Sequence, residues 1–360
     1  TRVYDPTGNL SGDGFVTTTI RVGGKNYQAT WGYDSEGNFT VSVRNEKGEE
    51  TPESKQIQKG LRSALGKLVA DGVFKGYNAM HYIFFAINFS NKFSTFADEH
   101  FKDFKTITQY DSRYIGKEFE SFSKHALIGF VISDHMTKYD DPASIDSGNS
   151  EWQTIYSDFN RLDMEIGFWV SFFTECTGID MSIIHSEAHT ISMVDLANIV
   201  KAMAMQETHV GNMGKTSIDS NADCGILRSN DKPGTHDEGH WAMNRYNAEW
   251  AWDLVKGFHT PVGIDPESGE VIHFNYDLSN EFVHLGIGIG NLFGYLTNDS
   301  DYPYSRDIRS SPNFTYWQEA ITFYNGNSGY LDSIMSIWTT GVYIWKDRDT
   351  GERRTARVWH

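Results

Sequence analysis

Glu207 stands where a core residue is expected, and its surroundings would make it an acid. The stretch reads Met203-Ala-Met-Gln-Glu207-Thr-His209-Val-Gly211, with Leu196, Val200 and Met203 preceding Glu207 by eleven, seven and four residues. That spacing is the apolar stripe of one amphipathic helix. Ser192 and Asp195, three apart, form a capping box to open it. A carboxyl group that ends a buried stripe in the last helical turn meets two effects of the same sign. Desolvation disfavours its charged form, and so does the negative end of the helix dipole, so its pKa rises. A carboxylic acid still protonated near neutral pH is equipped for general acid catalysis.

A Glu at a helix end more commonly just turns out to solvent, so Glu207 alone decides little. A second element changes the reading. In Ala320-Ile-Thr-Phe-Tyr324-Asn325-Gly326, the residues Trp317, Ala320, Ile321 and Tyr324 share one helical face, and Asn325-Gly326 is a natural C-cap. Together the two pieces resemble goose-type lysozymes and lytic transglycosylases, glycoside hydrolase family 23. In that family a helix ends in a catalytic Glu, a Gly-Leu-Met-Gln turn follows, and an Ala-Tyr-Asn-x-Gly segment comes later. The counterparts are Glu207-Thr-His-Val-Gly211, Gly225-Ile-Leu-Arg228 and Phe323-Tyr324-Asn325-Gly326. The resemblance covers residues 185–340 or so and has two departures. Arg228 replaces the usual Gln of the turn, and a segment from Phe258 to Asp277 reads as an inserted hairpin around Asp265-Pro-Glu-Ser-Gly269.

The resemblance implies a lysozyme-like catalytic domain; the residue patterns before it add a helical subdomain and a small N-terminal β module, so a mainly α chain is expected. The resemblance also implies cleavage of the β-1,4 bond between N-acetylmuramic acid and N-acetylglucosamine in peptidoglycan, with Glu207 as general acid. Tyr324, Asn325, His209, Gly225, Ile226 and Arg228 would then line the glycan cleft. Such cleavage protonates the leaving oxygen while the sugar ring passes through an oxocarbenium-like state. A second carboxylate about 6.5–9.5 Å across the cleft would activate water with inversion. Matching the family's aspartates are Asp219, Asp223 and Asp231, with Asp219 and Asp231 closest in spacing, although Asp in a Ser- and Asn-rich loop commonly just caps a turn. Without such a carboxylate the transglycosylase route is implied, in which the substrate's own C6 hydroxyl closes to an anhydro sugar. Trp241, Trp250 and Trp252 are candidates for sugar stacking or for the core. The chemistry calls for no cofactor and no metal.

Competing constellations are weaker. His185-Ser-Glu-Ala-His189 and His236-Asp-Glu-Gly-His240 each pair histidines four apart, a spacing that holds zinc on a helix, but Gly239 disfavours a helix through the second pair. Gly286-Ile-Gly288-Ile-Gly290 lies within the helical stripe of Phe282, Leu285, Ile289, Leu292 and Leu296, with no strand before it, so its glycines serve helix packing rather than a dinucleotide. Asp5 to Gly14 lacks the spacing and terminal Glu of an EF-hand loop. Two alternatives stay open: a catalytically degraded, glycan-binding lysozyme-like module, and a zinc-dependent hydrolase using His185, His189, His236 and His240.

Composition bounds the remainder. In 360 residues, 39% hydrophobic and 14% aromatic content supports packed cores rather than disorder. A net charge of −17 excludes a nucleic-acid partner, whose phosphates need a basic face, and opposes approach to a polyanionic wall at low salt. No apolar run approaches the roughly 20 residues of a membrane span. Two cysteines, Cys176 and Cys224, are too few for a disulfide framework. The expected organisation is a β module over 1–53, with strands at Thr17–Val22, Tyr27–Trp31 and Phe39–Val43. A linker at Glu46–Ser54 leads to a helical subdomain over 54–182, with helices near 55–90, 94–107, 117–137 and 150–175. The catalytic domain occupies 183–360 and closes on a β hairpin. No signal-peptide pattern opens the chain at Thr1. Together with the acidic charge and the extra module, this reads as an antibacterial protein delivered to the periplasm or cell wall by secretion machinery or phage. The expected partners are peptidoglycan strands and an immunity protein or secretion component.

Overall fold

The computed structural model describes residues 15–33, 38–108, 113–140, 159–187, 190–208, 210, 237–238, 243–244, 262–264, 271–273, 280–294, 314–325, 328–346 and 353–358. Over these the chain is mainly helical, with a small three-stranded sheet near its N-terminus. It forms two compact units, Thr1–Val131 and Ile132–His360.

In the first unit, β1 (Phe15–Val22), β2 (Lys25–Tyr33) and β3 (Phe39–Asn45) form an antiparallel meander. The β1–β2 turn is Gly23-Gly24, with φ of 60° and 74°, a two-residue turn whose positive dihedrals only glycine adopts freely. Alternation puts Val16, Ile20, Val22, Tyr27, Ala29, Trp31, Val41 and Val43 on one buried face. Helices α1 (Pro52–Ala70) and α2 (Ala79–Thr108) pack against the sheet, so the strands expected as a separate module share one unit with them. The expected linker is built structure. Asn45 Oδ1 accepts from the N–H groups of Lys47 (3.0 Å) and Glu49 (2.8 Å), and Thr51 and Ser54 then form a capping box for α1.

The helix boundaries correct the expectation. The helix read over 55–90 is broken after Ala70, where Asp71 caps it and Gly72 (φ 71°) and Gly76 (φ 86°) turn the chain. The break read after residue 90 does not occur. Ser90 and Ser94 donate their hydroxyls back to the carbonyls of Ala86 (2.7 Å) and Ser90 (2.9 Å), so these polar side chains are satisfied within α2. Helix α3 (Glu118–His135) follows, with the unit boundary inside it. At Gly60 of α1 a Cβ would stand 2.1 Å from the carbonyl oxygen of Glu120, so only glycine admits that α1–α3 contact.

The second unit contains α4 (Asp163–Thr177), α5 (Met193–Thr208), α6 (Glu281–Gly294), α7 (Phe314–Asn325) and α8 (Ser328–Thr340). Helix α4 packs on α5 and α6, α5 on α8, and α7 on both α6 and α8. The helix expected over 150–175 begins only at Asp163, after a turn at 159–162; residues 151–158 lie outside the described residues. Short strands β4 (Asp237–Glu238) and β5 (Met243–Asn244) pair, as do β6 (Val262–Ile264) and β7 (Val271–His273). The latter pair flanks the turn read as an inserted hairpin. The hairpin read at the C-terminus is β8 (Val342–Lys346) with β9 (Arg353–Arg357). The glycine run lies inside α6: a Cβ on Gly286 would meet the Trp169 ring at 2.5 Å, and one on Gly290 the Phe173 ring at 2.8 Å. Its glycines let α6 approach α4, and Trp169 Nε1 donates to Phe282 O across that contact at 2.9 Å. Among the described residues, no helix is long and apolar enough to cross a membrane.

Candidate functional site

Helix α5 opens as its sequence dictates. Asp195 N–H donates to Ser192 Oγ (3.1 Å), Ser192 N–H donates back to Asp195 Oδ2 (2.8 Å), and the Ser186 hydroxyl meets the same carboxylate. Burial is wider than the one stripe expected. Besides Leu196, Val200 and Met203, residues Ala197, Ile199, Ala202, Ala204 and Met205 are buried, because α4 and α8 both cover the helix. The helix continues to Thr208, so the backbone of Glu207 lies in its last turn, after an exposed Gln206. The side chains of Glu207, His209 and Asn325 lie outside the described residues, as do Asp219, Asp223, Gly225, Ile226, Arg228 and Asp231.

Immediately beyond α5 the backbone is held in an unusual shape. Val210 has φ 59°, the left-handed region that a β-branched residue enters only under strain, at a cost on the order of 1–3 kcal/mol. Its side chain is fully buried, worth roughly 1.5–3 kcal/mol, which is enough to offset that strain. Its N–H donates back to Ala204 O at 2.9 Å, and its own carbonyl accepts from Arg161 Nη2 at 2.7 Å. Arg161 also forks onto Glu281, Nη1 to Oε2 at 2.8 Å and Nη2 to Oε1. Glu281 sits in the first turn of α6, where the helix dipole favours a carboxylate, and Asn280 Oδ1 accepts from Val283 N–H (3.1 Å) beside it. One guanidinium thus fixes the exit of the Glu207 helix to the entry of α6. Sequence reasoning passes over Arg161, because a single Arg before a helix carries no pattern. The acidic first turn of α6 is the only signal.

A second cluster missed from sequence lies on α5 itself. Lys201, 1% exposed, has its ammonium 2.8 Å from Asp163 Oδ1 and donates to Asn160 Oδ1 and to Thr137 O, both at 2.8 Å. It also stands 5.4 Å from the centre of the Tyr139 ring. Lys138 pairs with Asp163 Oδ2 and donates to Ser133 O at 2.7 Å. Asn160 accepts from Tyr139 N–H (2.9 Å) and donates to Tyr139 O (2.8 Å). Burial pushes the Asp163 carboxyl up, while first Lys201 and then Lys138 pull it back. Burial, with the Asp163 charge second, pushes the Tyr139 phenol up to about 12. Two hydrogen-bond acceptors and the Asp163 carboxylate thus face the Lys201 ammonium. The cluster clasps α5 to α4 and to the segment after α3.

Helix α7 carries the shared face read from its sequence. Trp317, Ala320 and Ile321 are buried, and Tyr324 is half-buried with its ring stacked on Tyr330 at 6.4 Å. Helices α5 and α7, which carry Glu207 and Tyr324, both pack on α8. His185 is exposed on the α4–α5 loop, whereas His189, His236 and His240 lie outside the described residues. Asp237–Glu238 between the last two is strand, so that pair is not presented at helical spacing. Among the described residues no cluster of three His, Cys, Asp or Glu side chains is arranged to hold a metal. Cys176 is half-buried in the last turn of α4, and Cys224 lies outside the described residues. No family model, curated protein or solved structure matches the chain.

Proposed function

We propose that the chain is a muramidase that cleaves the β-1,4 bond between N-acetylmuramic acid and N-acetylglucosamine, with Glu207 as general acid. The observation that carries this reading is the exit of α5. A helix buried over most of its length and opened by a capping box ends at Glu207 and Thr208, where Arg161 holds the next described residue, Val210, in a strained turn. Strained, over-determined backbone of this kind clusters where side chains must be held for chemistry. The common packing of α5 and α7 on α8 supports a cleft that includes Tyr324 and Asn325. His209, Gly225, Ile226 and Arg228 complete that cleft in this reading, and Asp219 or Asp231 is the water-activating carboxylate if hydrolysis inverts. No cofactor takes part. An antibacterial effector delivered to the wall is the biological role that goes with this chemistry.

Glu207→Gln tests the assignment, since Gln keeps the volume of Glu but donates no such proton. The variant should keep its thermal midpoint and lose at least the roughly 10²–10⁴-fold that a general acid contributes, read as clearance of a peptidoglycan suspension. A folded variant with near-native clearance overturns the assignment. Mass analysis of the products separates the two routes. Free reducing ends, with Asp219→Asn or Asp231→Asn far more damaging than Asp223→Asn, mean inverting hydrolysis. Anhydro-muramyl ends, with all three variants active, mean transglycosylation.

A further inference from the structure

The N-terminal unit carries a cleft of its own, about 340 Å³ in volume, where three turns of the chain converge. The Gly23-Gly24 turn brings Lys25 and Asn26 to it, the turn after β3 brings Asn45 and Glu46, and the start of α1 brings Glu53. Each of these segments is shaped by local rules: paired positive-φ glycines, an Asn side chain bonding its own turn, and a capping box. The backbone of these walls is therefore shaped by the chain itself, which favours a binding site for a small molecule.

The charges of the lining are balanced in sign, Lys25 and Lys47 against Glu46 and Glu53, beside apolar surface. Lys25 lies 3.3 Å from Glu53, and the Asn26 amide donates to Glu46 Oε1 at 2.6 Å. Two lysines are offset by two carboxylates, so no net charge draws phosphate or another anion into the cleft. A metal ion is disfavoured because those carboxylates already hold an ammonium and an amide. An apolar ligand would strip water from charged walls without replacing the lost hydrogen bonds. A neutral polyhydroxyl compound fits this lining, because each hydroxyl both donates and accepts.

One buried group also calls for such a ligand. Tyr27, on the cleft wall, is 2% exposed, and among the described residues its hydroxyl has no hydrogen-bond partner. Buried hydroxyls are rarely left so, and one at the wall of a polar cleft marks where a ligand atom belongs. Burial, and next the charge of Glu53, pushes this phenol up to about 12, which relates it to the Glu53 wall.

We propose that this cleft binds a neutral saccharide of one or two rings, with the Tyr27 hydroxyl and the Asn26 and Glu46 side chains as its hydrogen-bonding partners. The site stands whether or not Glu207 cleaves glycan. The test titrates the full chain with N,N′-diacetylchitobiose and, separately, with inorganic phosphate, following backbone amide resonances. The disaccharide should shift the amides of Lys25, Asn26, Asn45 and Glu46 in a saturable way, and phosphate should not. Tyr27→Phe should weaken binding about tenfold, the worth of one good hydrogen bond, while keeping a cooperative thermal transition. Asn26→Ala, at the surface, should weaken binding similarly and serves if the Tyr27 variant does not fold. No shift at these amides with the disaccharide, equal shifts with phosphate, or unchanged affinity in a folded variant overturns the proposal. None of these readings depends on wall lysis, so loss of the muramidase reading leaves this result standing, and the converse holds as well.

Discussion

Arg161 shows what one side chain is asked to do near Glu207. Its guanidinium meets a backbone carbonyl in a strained turn and a carboxylate at a helix start, and only a planar fork serves both. With Arg161 31% and Glu281 26% exposed, solvent screens the ion pair and its share of stability is modest. The bond to Val210 weighs more, because Val210 is fully buried and a buried carbonyl left without a donor costs about 1–3 kcal/mol. Arg161→Lys should therefore lower stability by about 1–2 kcal/mol, and Arg161→Ala by more, in urea titration. If Glu207 depends on this turn, both variants should also lose turnover at temperatures where they remain folded. An Arg161→Lys protein with unchanged midpoint and rate would show that the fork carries neither load. Such residues escape sequence reading for a physical reason: the partners of Arg161 are 49 and 120 residues away. The Ser192–Asp195 box is legible because both partners lie within one turn of chain.

Elements are legible where local rules dominate and less so where packing does. The strands around Gly23-Gly24, the face of α7 and the C-terminal hairpin follow from alternation, helical spacing and turn chemistry. The α1–α2 break follows from two positive-φ glycines that an apolar periodicity count does not register. The wide burial of α5 depends on two neighbouring helices, and its buried Lys201 on oxygens supplied by Asn160, Asp163 and Thr137. Tyr139 gives this clasp a measurable signature. Its phenol is raised to about 12 in the folded protein, against an ordinary value near 10. Between those pH values the unfolded chain has lost a proton that the folded chain keeps, so stability falls as pH rises through that window. A rise from 10 to about 12 corresponds to about 2.7 kcal/mol, so the loss should be on the order of 2–3 kcal/mol by pH 12. Tyr139→Phe should give a shallower decline between pH 10 and 12 than the unaltered protein, measured by denaturant titration at each pH. Parallel declines would mean that the phenol is not held in its neutral form by the clasp.

At the scale of the molecule, the sheet belongs to one compact unit with two helices. One face of the three strands is largely apolar, and α1 and α2 cover it within the same unit. The net charge of −17 acts on a different range. A protein so acidic approaching a polyanionic wall is repelled over a Debye length of about 30 Å at 0.01 M salt, which shrinks to about 8 Å at 0.15 M. If the proposed muramidase activity holds, encounter should therefore limit lysis at low salt, and clearance of wall suspensions should speed up as salt is raised across that range, then level off. The opposite trend is expected of a basic wall enzyme, whose attraction salt would screen. The experiment is best run with a chelator present throughout, because the acid–base scheme on Glu207 needs no ion at any step, whereas the zinc reading of the four histidines does. A rate that rises with salt and ignores the chelator fits both the charge and the chemistry. A rate that falls with salt would show that a local basic patch, not the net charge, governs approach. Lysis abolished by the chelator and restored by zinc would move the catalytic centre from Glu207 to the histidines.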